Sequence, residues 1–202
     1  MSLSNDDNSN TANEISDHNT SLATLDINAI ESIDDDILDR FYDRNYLLSI
    51  ILATLDYMSE RINNNSLTLP YFIDIDPELW QEKSKALDIY ITDEVEGRAL
   101  NLEARDKDYA TNILSYPSDL PIAIIELMPT LPLGELVICH DVMVREAEEQ
   151  NKTVTQHISH LLIHGVLHLL GFDHELGQAE QDEMEHFEIE ILARLDIPNP
   201  YV

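Results

Sequence analysis

Residues 164–174 read His-Gly-Val-Leu-His-Leu-Leu-Gly-Phe-Asp-His. His164 and His168 are four apart, so on a helix their side chains stand one above the other on the same face, close enough to share an ion. Gly171 follows three residues later and suits the left-handed conformation that ends a helix. The chain can then double back and deliver His174 as a third ligand. This stretch predicts a fold with a metal site on a helix and the turn after it.

Three neutral nitrogen donors suit one zinc ion. Three protein ligands rather than four is the catalytic pattern, with a water whose pKa falls to about 7 in the open position. A structural site would need a fourth ligand, and the chain has a single cysteine, Cys139. The spacing also matches the long zinc-peptidase pattern H-E-x-x-H-x-x-G-x-x-H except at Gly165, where the peptidase has its glutamate base. Glycine inside a helix costs about 1 kcal/mol relative to alanine, so Gly165 points to something large that must approach the helix closely. A histidine alone on a helix is usually a core or surface residue, whereas three at this spacing around a glycine turn point to an ion. His157 and His160 complicate the choice, since His160 is also four residues from His164; a further turn from the bend, His160 reads as a structural or supporting residue.

Outward from this stretch, Thr153 with Gln156 forms a capping box that opens the histidine helix, which runs to Leu170. Gln178 to Leu195 is a final amphipathic helix stopped by Pro198, and His140 to Glu149 a helix before it. Strands are expected at Leu67–Ile75, Leu87–Thr92, Asn112–Tyr116 and Gly134–Cys139. Pro77 to Ala86 reads as a short helix carrying Trp80. Asp93 with Glu96 caps a helix to about Ala104. Strands and helices mix without regular alternation, so the expected fold class is α+β: a small mixed four-stranded sheet packed with five or six helices.

The chain has 202 residues, 44% of them hydrophobic, enough for one core with extensions. Its formal charge of −29 excludes general electrostatic binding to nucleic acid, which needs local cations. The first basic residue is Arg40, and residues 1–34 read as a disordered acidic tail. Apolar residues at helical intervals from Asp36 to about Arg61 make 35–64 an appended helix, leaving 65–202 as the main domain. One cysteine precludes an intramolecular disulfide and no secretory signal opens the chain, so a cytoplasmic setting is expected. The apolar run Leu47 to Leu55 is far short of the ~20 residues that span a bilayer, so no membrane association is expected.

A second constellation is Arg105-x-Lys107-Asp108-x-x-Thr111-Asn112-x-Leu114-Ser115-Tyr-Pro117. In so acidic a chain these cations stand out, although Arg105 and Lys107 could simply pair with Asp106, Asp108 or other nearby acids. Together with Leu133-Gly134-Glu135-Leu136-Val-Ile138 and the histidine stretch, it resembles the YbeY family of metal-dependent endoribonucleases, in the family's order, from about residue 65 to the end. Tyr116 stands where phenylalanine is frequent. The resemblance implies zinc on His164, His168 and His174, catalysis by Arg105, and single-stranded ribosomal RNA as substrate. The implied activity is 3′-end maturation of small-subunit RNA and ribosome quality control, with the ribosome or small-subunit factors as partners and no DNA.

Arg98, Lys107, Asn112 and Ser115 are expected to bind substrate, with Arg98, Arg105, Lys107 and Lys152 forming a basic rim. Asp173 is expected either to orient a ligand histidine or to cap the turn. Two rival readings are a zinc metallopeptidase and a non-enzymatic ribosome-associated factor with structural zinc.

Overall fold

The computed structural model describes residues 23–64 and 66–202. Four strands, β1 (Ala23–Ala29), β2 (Lys85–Thr92), β3 (Ile113–Pro117) and β4 (Leu131–Cys139), form one sheet in the order β1-β2-β4-β3. The first three in that order run parallel and β3 is antiparallel to β4. The α+β class and the mixed four-stranded sheet are as expected. The described residues also form α1 (Asp35–Phe41), α2 (Arg44–Asn63), α3 (Pro77–Glu82), α4 (Glu94–Arg105), α5 (Ile122–Ile125), α6 (His140–Glu149), α7 (Val154–Leu169) and α8 (Gln178–Arg194). That is eight helices against the five or six expected: the first predicted helix is two, and the single turn of α5 was not foreseen.

The fourth strand lies elsewhere than expected. Leu67–Ile75 is a loop around a 3-10 turn at Pro70–Phe72; Pro70 lacks the N–H that a ladder needs. The strand is instead β1, inside the expected acidic tail. Its residues alternate, with Ala23 and Leu25 buried and Thr24 and Asp26 exposed, which is the period of a half-buried strand. The tail reading therefore fails over residues 23–34; residues 1–22 lie outside the described residues.

Nor is 35–64 an appended helix. Asp43 caps α2 by accepting from the Tyr46 backbone N–H at 2.8 Å, which breaks the helical run after Phe41. Leu47, Ile50, Ile51 and Met58 of α2 are buried in the same core as the strands. At the middle of that core runs α7, packed on β3 and β4 as well as on α2, α6 and α8. Thr153 and Gln156 make the expected reciprocal capping box at its start. A helix buried on most sides presents few side chains outward, and on α7 these include His164 and His168.

Candidate metal centre and its cleft

The end of α7 is a Schellman turn. The Phe172 N–H donates to the Leu167 carbonyl at 3.1 Å and the Gly171 N–H to that of His168 at 3.0 Å. Gly171 has a φ of +101°, and a Cβ there would lie 2.8 Å from the Tyr71 backbone nitrogen, so both the conformation and the space require glycine. Phe172 is buried edge-on to Phe187 of α8, 5.3 Å between ring centroids. With the turn pinned at both residues, His174 comes back beside the helix.

One ring nitrogen from each of His164, His168 and His174 falls within 4.8 Å of the others. The Nε2 atoms of His164 and His168 are 3.1 Å apart. Two nitrogens on one tetrahedral zinc at ~2.1 Å would lie about 3.4 Å apart, so the donor set fits such an ion with little movement. Burial, then the neighbouring His164 and His174, push the His168 imidazole down to about 4. It is therefore neutral at ordinary pH, with a lone pair free for a metal.

The other nitrogen of His164 is also held. Its Nδ1 hydrogen-bonds Glu188 Oε1 at 2.8 Å, while Glu188 Oε2 receives His160 Nε2 at 3.0 Å and the Tyr201 hydroxyl. Burial would raise the Glu188 carboxyl, but its hydrogen bonds and charge interactions with His160 and His164 outweigh that and hold it at about 2. A carboxylate there fixes the His164 tautomer with Nε2 unprotonated, on the side where the three histidines could hold an ion. Glu188→Gln is expected to weaken metal binding about 10–100-fold, read by competition with a chromogenic chelator; an unchanged affinity would sink that role.

The histidines open onto a cleft of about 720 Å³ whose walls include Arg105, the run from Thr111 to Pro117, Asp173, Glu175 and Tyr71. Arg105, the last residue of α4, donates to Glu175, beside His174, and Lys107 Nζ lies 3.8 Å from the same carboxylate. Arg105's hydrogen bond holds the Glu175 carboxyl below the usual range despite partial desolvation.

A family model described as Endoribonuclease YbeY matches residues 67–196. The chain belongs to the YbeY family. A relative from Psychrobacter cryohalolentis named Endoribonuclease YbeY is 79% identical over 155 residues, covering 77% of this chain and 99% of that protein. One of the same name from Psychrobacter arcticus is 84% identical over 135 residues, covering 67% of this chain and 66% of that protein. Among solved structures, a Thermotoga maritima protein determined in solution aligns with a TM-score of 0.45 and 16% identity, over 86% of this chain and 92% of that one.

All three segments that carried the YbeY resemblance meet around α7. The cleft brings together His164, His168, His174, Arg105, Asn112, Ser115 and Asp173. Asn112 is already engaged, donating to Glu146 Oε2 at 2.8 Å and accepting from the Ile113 N–H at 2.7 Å. Ser115 Oγ reaches the Gly165 carbonyl at 3.4 Å. Asp173 caps the turn, accepting from the Glu175 N–H at 2.8 Å; the carboxylate bonded to one of the three histidines, His164, is Glu188.

The basic rim does not assemble as expected. Arg98 makes a two-pronged pair with Asp108, 2.8 Å in each contact, and Lys152 donates to the Pro200 carbonyl at 2.9 Å; neither lines the cleft. Arg105 does pair with an acid, but one on the histidine turn rather than Asp106 or Asp108.

Gly165 faces the sheet. A Cβ there would lie 2.7 Å from Leu136 Cδ2 and 2.9 Å from Ile113 Cδ1. The large neighbour inferred from its presence is thus the sheet itself, with β4 and β3 pressed against the helix. Glu188 escaped the sequence reading, although Met184, Phe187, Glu188, Ile191 and Leu192 form one buried stripe on α8. An acid on an apolar stripe was the available signal.

Proposed function

We propose that the chain is a zinc-dependent endoribonuclease acting on single-stranded RNA, with the ion on His164, His168 and His174 and Arg105 as the catalytic cation. The observation that carries this is Arg105 in the same cleft as the three histidines, tethered to the very turn that bears His174. The relatives named Endoribonuclease YbeY support the same reaction. When bound, zinc supplies a Lewis acid for a phosphate oxygen and a water of lowered pKa.

The chain's own residues do the rest. Arg105 exchanges Glu175 for a phosphate, since its planar fork matches two phosphate oxygens at once and balances the charge that grows on them. Lys107, two residues on and 3.8 Å from Glu175, adds a second positive charge beside the histidine turn, while Ser115 of β3 and Asn112 just ahead of that strand bind the RNA that enters. Arg98, paired with Asp108 away from the cleft, serves as an outer contact for the incoming RNA.

The family resemblance supports ribosomal RNA as the target, in 3′-end maturation of the small subunit and ribosome quality control, with ribosomal partners. A buried free thiol at Cys139 supports a cytoplasmic setting. The peptidase reading loses ground, because a glutamate at 165 would meet Leu136 and Ile113 of the sheet.

Metal analysis of purified protein, run beside cleavage of a single-stranded RNA with and without chelator, tests the proposal. One zinc per chain and cleavage abolished by chelator are expected; a metal-free protein that still cleaves would end it. The product ends then identify the nucleophile, because attack by the RNA 2′-hydroxyl leaves a cyclic phosphate whereas attack by water does not.

A further inference from the structure

Tyr71 lines the cleft together with His168 and His174, yet it is 56% exposed. It is also firmly mounted. Pro70 fixes the start of the 3-10 turn, and the Tyr71 N–H donates to the Leu170 carbonyl at 3.2 Å. The next residue, Phe72, is buried against Trp80, 5.7 Å between centroids. A Cβ on Gly171 would come within 2.9 Å of Tyr71 Cγ, so the root of the ring rests on the turn that presents His174. A large aromatic held this way and left more than half in water gains little from packing. What it offers is a flat apolar plate on a fixed backbone mount.

We propose that Tyr71 is a stacking platform for an unpaired nucleobase adjoining the phosphate that reaches the three histidines. This rests on the reading of the cleft as an RNA-cleaving site. Electrostatics alone is a poor way for a chain of charge −29 to hold a polyanion, and Arg98 and Lys152 are engaged elsewhere. Stacking needs no net charge and works for every base, since each has a π-face. It also selects single strands, because a base inside a duplex is already stacked and paired.

The test compares wild type with Tyr71→Ala, Tyr71→Phe and Tyr71→Trp in steady-state cleavage of a single-stranded oligoribonucleotide, and of the same oligonucleotide made abasic at each position flanking the mapped cut. Tyr71→Ala is expected to raise KM about tenfold, the order of one base–aromatic stack, with far less change in kcat. Phe and Trp should restore KM. One abasic position should raise the wild-type KM by a similar factor and leave the Ala variant unaffected by the second loss. An unchanged KM in Tyr71→Ala, or penalties that simply multiply at every abasic position, overturns the stacking role while leaving the nuclease reading intact. A wild type that cleaves no RNA overturns that reading, and this proposal with it.

Discussion

Arg105→Ala is expected to lower kcat for RNA cleavage about 10²–10³-fold, the loss found when one preorganised donor to a developing oxyanion is removed, about 3–4 kcal/mol. The fold should scarcely register the change. The Arg105 side chain is 35% exposed and that of its partner Glu175 52% exposed, and ion pairs that wet contribute little to stability. Metal content should stay at the wild-type level, because no ligand histidine bonds to Arg105. Arg105→Lys is expected to recover only part of the rate, since an ammonium keeps the charge without the fork. The measurement is single-turnover cleavage with metal analysis and a urea melt on the same preparation. A rate within threefold of wild type would remove Arg105 from the chemistry.

Gly165→Glu, which would write the peptidase signature into this helix, is expected to cost about 3–7 kcal/mol of stability. Overpacking against Leu136 and Ile113 contributes part of this, and burying a carboxyl group without a partner contributes the rest. A domain of ordinary stability, about 5–15 kcal/mol, would lose most of its margin. Gly165→Ala separates the two causes, since its Cβ meets the same flexible ends of Leu136 and Ile113 but brings no charge. Its gain of about 1 kcal/mol in helix propensity offsets part of the crowding, for a net loss within about 2 kcal/mol. Urea unfolding midpoints test both, and a Glu variant as stable as wild type would show that the helix face is not closed by the sheet.

Much of the site could be read before the fold was known because its signals are local. Spacing on one helix, a capping box at its start and a glycine turn at its end all act within a few residues, so Thr153 to His174 was legible almost residue by residue. β3, to within one residue at each end, and the whole of α6 were legible for the same reason. What escaped depended on distant partners. β1 carries the alternation Ala-Thr-Leu-Asp-Ile-Asn-Ala, but set among acids and amides it reads as solvated until β2 lies beside it. Pro70 sat inside an apolar run that by length alone passes for a strand. Glu188 is one of 40 acidic residues in the chain; its place on the apolar stripe of α8 marks it as buried, and the packing of α8 on α7 supplies the histidines that it holds. The partner of Arg98 was hidden as well: spacing alone did not show that it forms a two-pronged pair with Asp108, ten residues on, outside the cleft.

The sheet order has a bearing on solubility as well as on chemistry. β3 is one of the two edge strands, β1 being the other, and an edge strand with unpaired peptide groups is where one folded molecule can recruit a strand from another. Here that same strand forms a wall of the cleft along Ile113 to Pro117, in company with the histidine turn and Arg105. Anything that keeps the cleft accessible to a flexible chain of nucleotides while crowding out a rigid polypeptide ribbon protects the molecule from its own copies. Selection for substrate entry and selection against self-association would thus act on the same few residues, and a variant that widens the cleft should be watched for aggregation before it is judged for activity.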